Sequence, residues 1–315
     1  MVADPIPSPL DQVPAQSRGL NANSPAAMIY APARRGFLAE FNMMVCHYAY
    51  ALSVGEDVFM DDSRAAIVWQ EVFEPCVRSR SELVEQNYSR VTLCGSKLAP
   101  DEWNSRRLWV KRACDEDRII SIPAMGFHGV WTDLLLELTK RLFLPVPEIR
   151  AEAQERFVAL GLASEPFGAI HIRRGDKTAG YLAANGKLAI EGEAVDVDVY
   201  ISALEKMDPD IERIFIMTDD YREVATARQR YPSLDFVTLC GPTEEGYRNQ
   251  DFGGLSRAER VPAIRRLLVE MLISLRCVAF AGVYLSNVSR TVAALHPRRD
   301  ACCSVDRQVR WTPMP

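Results

Sequence analysis

The sequence predicts an α/β protein with doubly wound parallel sheets. In its second half, short apolar runs alternate with amphipathic segments of helical length, which is the pattern of consecutive β-α-β units. The first half has the same rhythm around the apolar runs Met28–Tyr30 and Val58–Met60. A chain of 315 residues is longer than one compact core usually holds, so we expect two domains or one large α/β unit.

The first predicted helix lies between these two strands. Apolar residues recur every three or four positions from Phe37 to Leu52, which is the period of a helix with one buried face. Gly36 opens this run and Gly55 ends it. The order strand, helix, strand predicts a parallel pair in the first half of the chain.

The rest of the first half is less regular. Residues 71–121 contain only short apolar pieces, such as the one at 91–94. A second helix is predicted over 132–143, and the two prolines of 144–147 end it. We place a domain junction at this break.

The second half resolves into clear elements. The predicted strands span 167–172, 213–220, 235–240 and 277–283, and the predicted helices span 148–160, 199–207, 222–230, 261–275 and 289–295. The predicted organisation is a disordered tail at 1–28, domains at 29–147 and 148–296, and a C-terminal extension at 297–315. Ligands of doubly wound sheets bind outside the carboxyl ends of the strands, so polar residues at those ends are candidates for a site.

Composition narrows the classes of function. The net charge is −5, so a nucleic-acid-binding surface is not expected. No CxxC motif occurs, and no run approaches ~20 apolar residues, so neither a zinc finger nor a membrane span is expected. The N-terminus lacks the basic start and apolar run of a signal peptide, which favours a cytoplasmic protein. A missing leader or anchor would instead place the protein in the secretory pathway.

The run AIHIRRGDKTAG, at 169–180, concentrates charge directly after an apolar strand. Its polar residues are His171, Arg173, Arg174, Asp176 and Lys177. Guanidinium forks bind phosphate oxygens in pairs, and an ammonium group adds a point charge. Such a cluster at a strand end fits a pyrophosphate. The alternative is a solvated turn held by salt bridges.

Two further polar turns follow other strands. Asp219 and Asp220 suggest a Mg²⁺ site. Alternatively, these acids orient the arginines or contact a ribose, and one of the two is the N-cap of the following helix. Ser286 and Asn287 precede a helix, where N–H donors and the helix dipole suit an anion, although a simple N-cap has the same sequence. Arginine and lysine already supply positive charge for a phosphate, so the sequence does not require a metal.

Other common site signatures do not occur in the sequence. GxxxxGK[ST], GxGxxG and GxSxG are all missing. The four histidines are too widely spaced to predict a metal hydrolase. The basic cluster therefore needs another explanation.

In this order, the motifs resemble those of the α1,6-fucosyltransferase family, which includes core fucosyltransferases of N-glycan maturation and bacterial nodulation fucosyltransferases. HIRRGDK matches the family stretch H-[VI]-R-R-x-D-K at each defined position. IFIMTDD, LSNVSR and the Leu-His-Pro at 295–297 are similar to later family features, and the helix opened by Gly36 is similar to an earlier one. The resemblance extends over residues 29–310.

The resemblance implies a GT-B fold, in which two Rossmann-like domains face each other across a cleft. The first domain is then on the acceptor side and the second binds the GDP-sugar. The implied activity is inverting transfer of L-fucose from GDP-β-L-fucose to a glycan or another hydroxyl acceptor, with no metal and no cofactor. The implied partners are thus a nucleotide sugar and an acceptor glycan.

The resemblance also assigns roles to matched residues of the donor site. His171 contacts the guanine or its ribose, and Glu270 accepts the two adjacent N–H groups of guanine. Arg173 holds the β-phosphate, and Arg174 shapes the donor pocket. Asp176 and Lys177 lie beside the pyrophosphate and the reacting centre. The remaining residues implied at the donor site are Asp219, Asp220, Ser286, Asn287 and Gly36.

The catalytic base has two candidates. Glu191 has the family's distance to Tyr200, whereas Glu193 precedes an alanine, as the family's glutamate does. Either residue has the alternative of being a surface acid. Two other functions stay open: a non-catalytic GDP-sugar-binding GT-B protein, and a GT-B transferase with another nucleotide-sugar donor.

Overall fold

The computed structural model describes residues 25–32, 36–63, 65–96, 98–182, 188–189, 192–307 and 311. The chain divides into two compact units, one within Met1–Val146 and the other within Pro147–Pro313. Each unit is organised around a parallel β-sheet. None of the helices in these ranges combines the length and apolar character that crossing a bilayer needs.

The first unit has a four-stranded parallel sheet in the order β3-β2-β1-β4 and an antiparallel hairpin of β5 and β6. Strands β1–β6 span Ala26–Tyr30, Glu56–Met60, Arg78–Ser79, Arg90–Cys94, Ile119–Ile122 and Phe127–Val130, and helices α1–α3 span Phe37–Ser53, Pro100–Asp115 and Trp131–Leu142. Helix α1 connects the paired strands β1 and β2, which is the predicted β-α-β unit. Strand β1 begins inside the predicted tail.

The buried face of α1 explains why the helical period is visible in the sequence. Phe37 and Phe41 are at most 8% exposed and pack on Trp69 and Phe73, with ring centroids 5.5–6.2 Å apart. Each buried aromatic side chain contributes ~1.5–3 kcal/mol relative to an exposed one. This cluster attaches α1 to the chain that follows β2.

The second unit has a five-stranded parallel sheet in the order β11-β10-β7-β12-β13 and a two-stranded antiparallel pair, β8 and β9. Strands β7–β13 span Gly168–Ile172, Tyr181–Leu182, Leu188–Ala189, Arg213–Thr218, Asp235–Thr238, Ala279–Gly282 and Cys302–Ser304, and helices α4–α10 span Pro147–Ala159, Asp176–Ala179, Val197–Met207, Tyr221–Arg230, Asn249–Gly254, Arg257–Ser274 and Asn287–Leu295. Strand β13 comes from the predicted C-terminal extension. The central strand β7 is buried at every position, as expected for an inner parallel strand.

Several elements are absent from the sequence prediction: α2, α5, α8, β3, β5, β6, β8, β9 and β13. Helix α2 is the longest of them, and it is largely polar. One of its four buried residues is Arg106, whose Nη1 donates to Glu56 of β2 at 2.6 Å. A helix that buries an ion pair lacks the apolar period by which helices are recognised. Pro100, at the first position of α2, was the feature of the sequence that could have indicated the start of this helix.

Candidate functional site

The carboxyl ends of β7, β10 and β12 form one edge of the second sheet. Strand pairing sets His171 of β7 level with Met217 of β10 on one side and with Gly282 of β12 on the other. The turns after these strands carry the polar residues that the sequence analysis singles out. The sheet therefore brings together three segments that are far apart in the sequence.

Arg173 is at the centre of a charged cluster at this edge. Its Nη1 donates to Asp219 Oδ2, and its Nη2 donates to Asp176 Oδ1 at 3.0 Å. Its guanidinium carbon lies 4.6 Å from the centroid of the Tyr247 ring, a cation–π distance. A guanidinium has five N–H donors, so these two bonds leave three with which to bind an anion. We call these four residues the arginine cluster.

Asp219 also fastens two loops to each other. Its Oδ1 accepts the N–H of Arg174 and its Oδ2 accepts the N–H of Tyr247, both at 2.8 Å. Its carbonyl oxygen accepts the N–H of Gly246 at 2.7 Å. The loops meet so closely that a Cβ on Gly175 would lie 2.0 Å from the Tyr247 carbonyl oxygen. Asp219 thus orients the guanidinium of the cluster and holds its surroundings in place.

The neighbouring acid, Asp220, has a different position. It is the N-cap of α7, where its Oδ1 accepts the N–H of Arg222 at 3.0 Å. Its carboxylate also binds the Arg222 guanidinium, and these hydrogen bonds lower the pKa of Asp220 below its ordinary value. Of the two acids, Asp219 is the one that contacts Arg173.

Arg174 is held by a helix and by a loop. Its Nε and Nη2 donate to the two carboxylate oxygens of Glu223 on α7, at 2.7 and 2.9 Å. Its Nη2 also donates to the Val195 carbonyl oxygen at 2.7 Å. The sequence analysis singles out neither partner, since an acid three residues after an N-cap is common on any helix.

His171 is buried beneath the edge and is bonded to α10. Its Nδ1 lies 2.7 Å from Ser289 Oγ, which fixes the orientation of the ring. Burial, with the charge of Arg173, lowers the pKa of His171 to about 3, so the imidazole is neutral at physiological pH. A Cβ on Gly282 would lie 2.6 Å from Ser289 Oγ, so a glycine is needed where α10 approaches β12.

The Ser286–Asn287 turn is the start of α10. Ser286 is the N-cap residue, is 8% exposed, and makes no capping bond through its hydroxyl. Asn287 is the first helical residue, and its Oδ1 accepts a hydrogen bond from Arg290 Nη2 at 2.7 Å. A buried hydroxyl beside the first N–H groups of a helix is suited to an anion.

Glu270 is a buried acid on α9. Arg266, one turn earlier, donates from Nε to Glu270 Oε1 at 3.3 Å and from Nη1 to Glu244 Oε1 at 2.6 Å. Burial raises the pKa of Glu270 to about 7, although Arg266 opposes the rise. The negative charges of Glu244 and Asp219 add smaller contributions to the rise in the pKa of Glu270.

The remaining residues of the expected site are placed differently. Lys177 is in the short helix α5, one residue after Asp176. Glu191 lies outside the described residues, and Glu193 is exposed in the irregular stretch before α6. Gly36 is the N-cap residue of α1 and belongs to the first unit.

The first unit has its own features at the carboxyl ends of its strands. A pocket of about 100 Å³ is lined by apolar side chains that include Met60, Trp69 and Phe73, with acidic residues such as Glu74 beside them. Separately, the Tyr30 hydroxyl donates to Glu40 Oε2 at 3.3 Å. The sequence analysis missed Glu40, although an acid on the apolar face of α1 was a signal. Strand ends of this kind are where parallel α/β sheets bind ligands.

The described residues contain no metal site. In that part of the chain, no three His, Cys, Asp or Glu side chains converge as metal ligands would. Asp219, directly after β10, is instead paired with Arg173, and Glu270 of α9 is paired with Arg266.

Solved structures of several fucosyltransferases have a fold similar to that of this chain. Fucosyltransferase NodZ from Bradyrhizobium has a TM-score of 0.51 and 16% identity, over 89% of this chain and 96% of that one. NodZ α-1,6-fucosyltransferase co-crystallised with GDP has a TM-score of 0.52 and 13% identity, over 86% and 93%. A mutant of Arabidopsis thaliana FUT1 in complex with GDP has a TM-score of 0.53 and 8% identity, over 91% and 72%. No protein-family model matches the sequence.

At these identities the likeness is one of fold. It confirms the prediction of an α/β protein with two Rossmann-like units of the GT-B type. The resemblance inferred from HIRRGDK and the later motifs is thus confirmed at the level of architecture.

Proposed function

We propose that the protein is an inverting, metal-independent fucosyltransferase whose second unit binds GDP-β-L-fucose. The arginine cluster carries this proposal, because Arg173 has N–H donors to spare and is held by two carboxylates at the aligned ends of parallel strands. The turn at the start of α10 follows the neighbouring strand β12. Solved fucosyltransferases of the same fold, two of them in complex with GDP, support this choice of donor.

The proposed reaction is a single displacement at C1 of the fucose. The acceptor oxygen forms a bond to C1 while the bond from C1 to the β-phosphate oxygen breaks, and GDP leaves with the electron pair. Arg173, the Lys177 ammonium and the N–H groups of the Ser286–Asn287 turn stabilise the charge on the departing phosphate. In other transferases a metal ion has this role.

A glutamate takes the proton of the acceptor hydroxyl in this proposal. General base catalysis of this kind typically contributes ~10²–10⁴-fold to the rate. Glu191 and Glu193 are the candidates from sequence. We further propose that the acceptor binds the first unit at its pocket beside Trp69, where apolar side chains and carboxylates suit a sugar ring with hydroxyl groups.

GDP affinity is expected to increase as the pH rises through 7. Guanine presents two adjacent N–H donors, and only the ionised form of Glu270 accepts from both. Because burial raises the pKa of Glu270 to about 7, this form becomes the major one only above neutrality. Between pH 6 and pH 8, the association constant measured by calorimetry should rise about tenfold.

Two variants of α9 control this measurement. E270Q should bind GDP weakly and with no pH dependence, since an amide cannot ionise. E259Q makes the same change at the exposed N-terminal turn of α9 and should keep the wild-type profile. A wild-type association constant that is flat over this pH range would exclude Glu270 from guanine recognition.

The first test of the function is GDP release from GDP-fucose in the presence of EDTA. GDP-mannose and UDP-sugars are the donor controls. We expect the protein to hydrolyse GDP-fucose but not the control donors, at a rate that EDTA does not change. Turnover of another donor would indicate a transferase of different sugar specificity. Stabilisation by GDP without turnover of any donor would support the binding-only alternative, whereas neither turnover nor stabilisation would refute the donor site.

The base is then identified by substitution. E191Q and E193Q are compared in the same assay. E40Q is the control, because it makes the same change at a buried carboxylate of the first unit. Loss of turnover with unchanged GDP affinity is the behaviour expected of the base, because the base contacts the acceptor rather than the nucleotide.

A further inference from the structure

We propose that Arg174 is a positioning residue, which fixes the segment Gly192–Asp196 rather than binding the donor. This inference rests on the proposed function, since the segment carries the candidate base Glu193. The inference assigns different roles to two adjacent arginines that the sequence alone does not distinguish. Arg173 binds the leaving phosphate, and Arg174 holds the chain on the acceptor side of the reaction.

The hydrogen bonds of the Arg174 guanidinium support this separation. Its Nε hydrogen and one Nη2 hydrogen bind the two oxygens of Glu223, and the other Nη2 hydrogen binds the Val195 carbonyl oxygen. The side chain is 11% exposed and that of Glu223 is 18% exposed. Bidentate pairs of this kind have a fixed geometry, so the guanidinium is oriented towards α7 and Val195.

The segment Gly192–Asp196 passes close to another loop at its start and is attached to the second unit at its end. At its start, a Cβ on Gly192 would lie 3.3 Å from Leu285 Cδ1, so the chain passes beside the turn that precedes α10. At its end, the Val195 side chain packs against the core of the second unit, and Asp196 caps α6. Between these points the backbone forms no helix or strand, and the bond from Arg174 to Val195 ties it to the end of β7.

This arrangement links the position of Glu193 to the arginine cluster. Glu193 is two residues before Val195, and Arg174 directly follows Arg173. A catalytic base must lie within hydrogen-bond reach of the acceptor hydroxyl, so a shift of about 1 Å in the segment is enough to lower turnover ~10²-fold. The donor contacts of Arg173 do not depend on the fork to Glu223. Loss of Arg174 should therefore affect turnover and not GDP affinity.

The experiment compares R174Q, R174K and E223Q with R173Q. Amide hydrogen exchange of residues 192–196, GDP affinity by calorimetry, and kcat and KM for GDP-fucose are measured in each. We expect R174Q and E223Q to speed exchange in the segment at least about tenfold and to lower kcat ~10–10²-fold. GDP affinity should stay within about twofold of wild type in these two variants. R173Q should weaken GDP and leave the exchange of the segment unchanged.

The lysine variant distinguishes geometry from charge. R174K keeps the positive charge but cannot form the fork, so it should behave as R174Q does. E223Q removes the same bidentate pair by changing the carboxylate instead of the guanidinium. It therefore tests the inference even if R174Q fails to fold. GDP affinity lost in R174Q as in R173Q would identify a phosphate ligand and overturn the inference. Unchanged exchange in both R174Q and E223Q would also overturn it.

Failure of the proposed function would have a separate signature. It would appear in the wild-type protein as absence of both GDP binding and turnover. Failure of the present inference appears only in the variants, as unchanged exchange or as lost GDP affinity. The exchange measurement needs no donor and no acceptor, so it decides the contact between Arg174 and the segment in either case.

Discussion

Replacing Arg173 with alanine should remove most of the GDP affinity. In the proposed donor site, the variant would leave the pyrophosphate without a guanidinium partner. It also leaves Asp219 and Asp176 without the cation with which they pair. Truncation of one partner in a buried charge pair costs ~2–5 kcal/mol. The corresponding loss of affinity is ~30- to 4,000-fold. Calorimetric titration with GDP in EDTA measures it directly.

A matched control is available at the opposite edge of the same sheet. Arg213 begins β10, pairs with Asp235 at 2.6 Å and donates to the Gly161 carbonyl oxygen at 2.7 Å. R213A removes a paired arginine of the same unit and should leave GDP affinity unchanged. Equal affinities of R173A and wild type would mean that GDP does not bind at this edge. Equal losses in R173A and R213A would point to a general destabilisation of the unit.

The carboxyl ends of the strands in the second sheet could be located from sequence because the three central strands are buried at nearly every position. β7, β10 and β12 are nearly uninterrupted apolar runs. Arg173 and Asp219 follow β7 and β10 directly, and Ser286 comes four residues after the end of β12. In a parallel sheet these ends necessarily share one edge. The alternation of strands and helices was therefore enough to predict that His171, Asp219 and Ser286 lie at the carboxyl ends of strands, and these strands are neighbours in the sheet.

Which polar group contacts which could not be predicted. Asp219 and Asp220 are adjacent and chemically identical, yet one orients Arg173 and the other caps α7. Their difference arises from the path of the distant loop that places the Tyr247 N–H on Asp219. A contact of this kind depends on chain packing and leaves no periodic signal in the sequence. Glu223, the partner of Arg174, was missed for the same reason.

The single positive charge of the arginine cluster is paired with two carboxylates within the cluster. Arg173 faces two carboxylates and Arg174 one, so these two cations and three acids have no net positive charge before any ligand arrives. In the donor site that we propose, oriented N–H groups and the helix dipole of α10 would therefore provide most of the attraction for a dianionic pyrophosphate. The paired acids hold the Arg173 guanidinium in one orientation. In the proposed reaction, this preorganisation would stabilise the transition state.

Substituting Gly175 with alanine should break this preorganisation and destabilise the second unit. Gly175 has φ 61° and ψ −134°, a backbone conformation that residues other than glycine rarely adopt. Its Cβ would also lie 2.0 Å from the Tyr247 carbonyl oxygen, which accepts the Asp176 N–H at 3.1 Å. The strain costs ~1–3 kcal/mol, and loss of that hydrogen bond costs ~1 kcal/mol more. Denaturant unfolding should therefore show a decrease of ~2–4 kcal/mol in the free energy of unfolding.

The same substitution at Gly161 distinguishes the effect of backbone strain from the effect of displacing the Tyr247 loop. Gly161 has φ 70°, and its Cβ would meet only the end of the Arg213 side chain, at 3.3 Å. G161A should cost ~1–2 kcal/mol for the left-handed conformation and should leave GDP affinity intact. G175A should in addition push the Tyr247 loop away from Asp219 and weaken GDP at least about tenfold. If G175A bound GDP as tightly as G161A, the contact between the two loops would have no part in orienting Arg173.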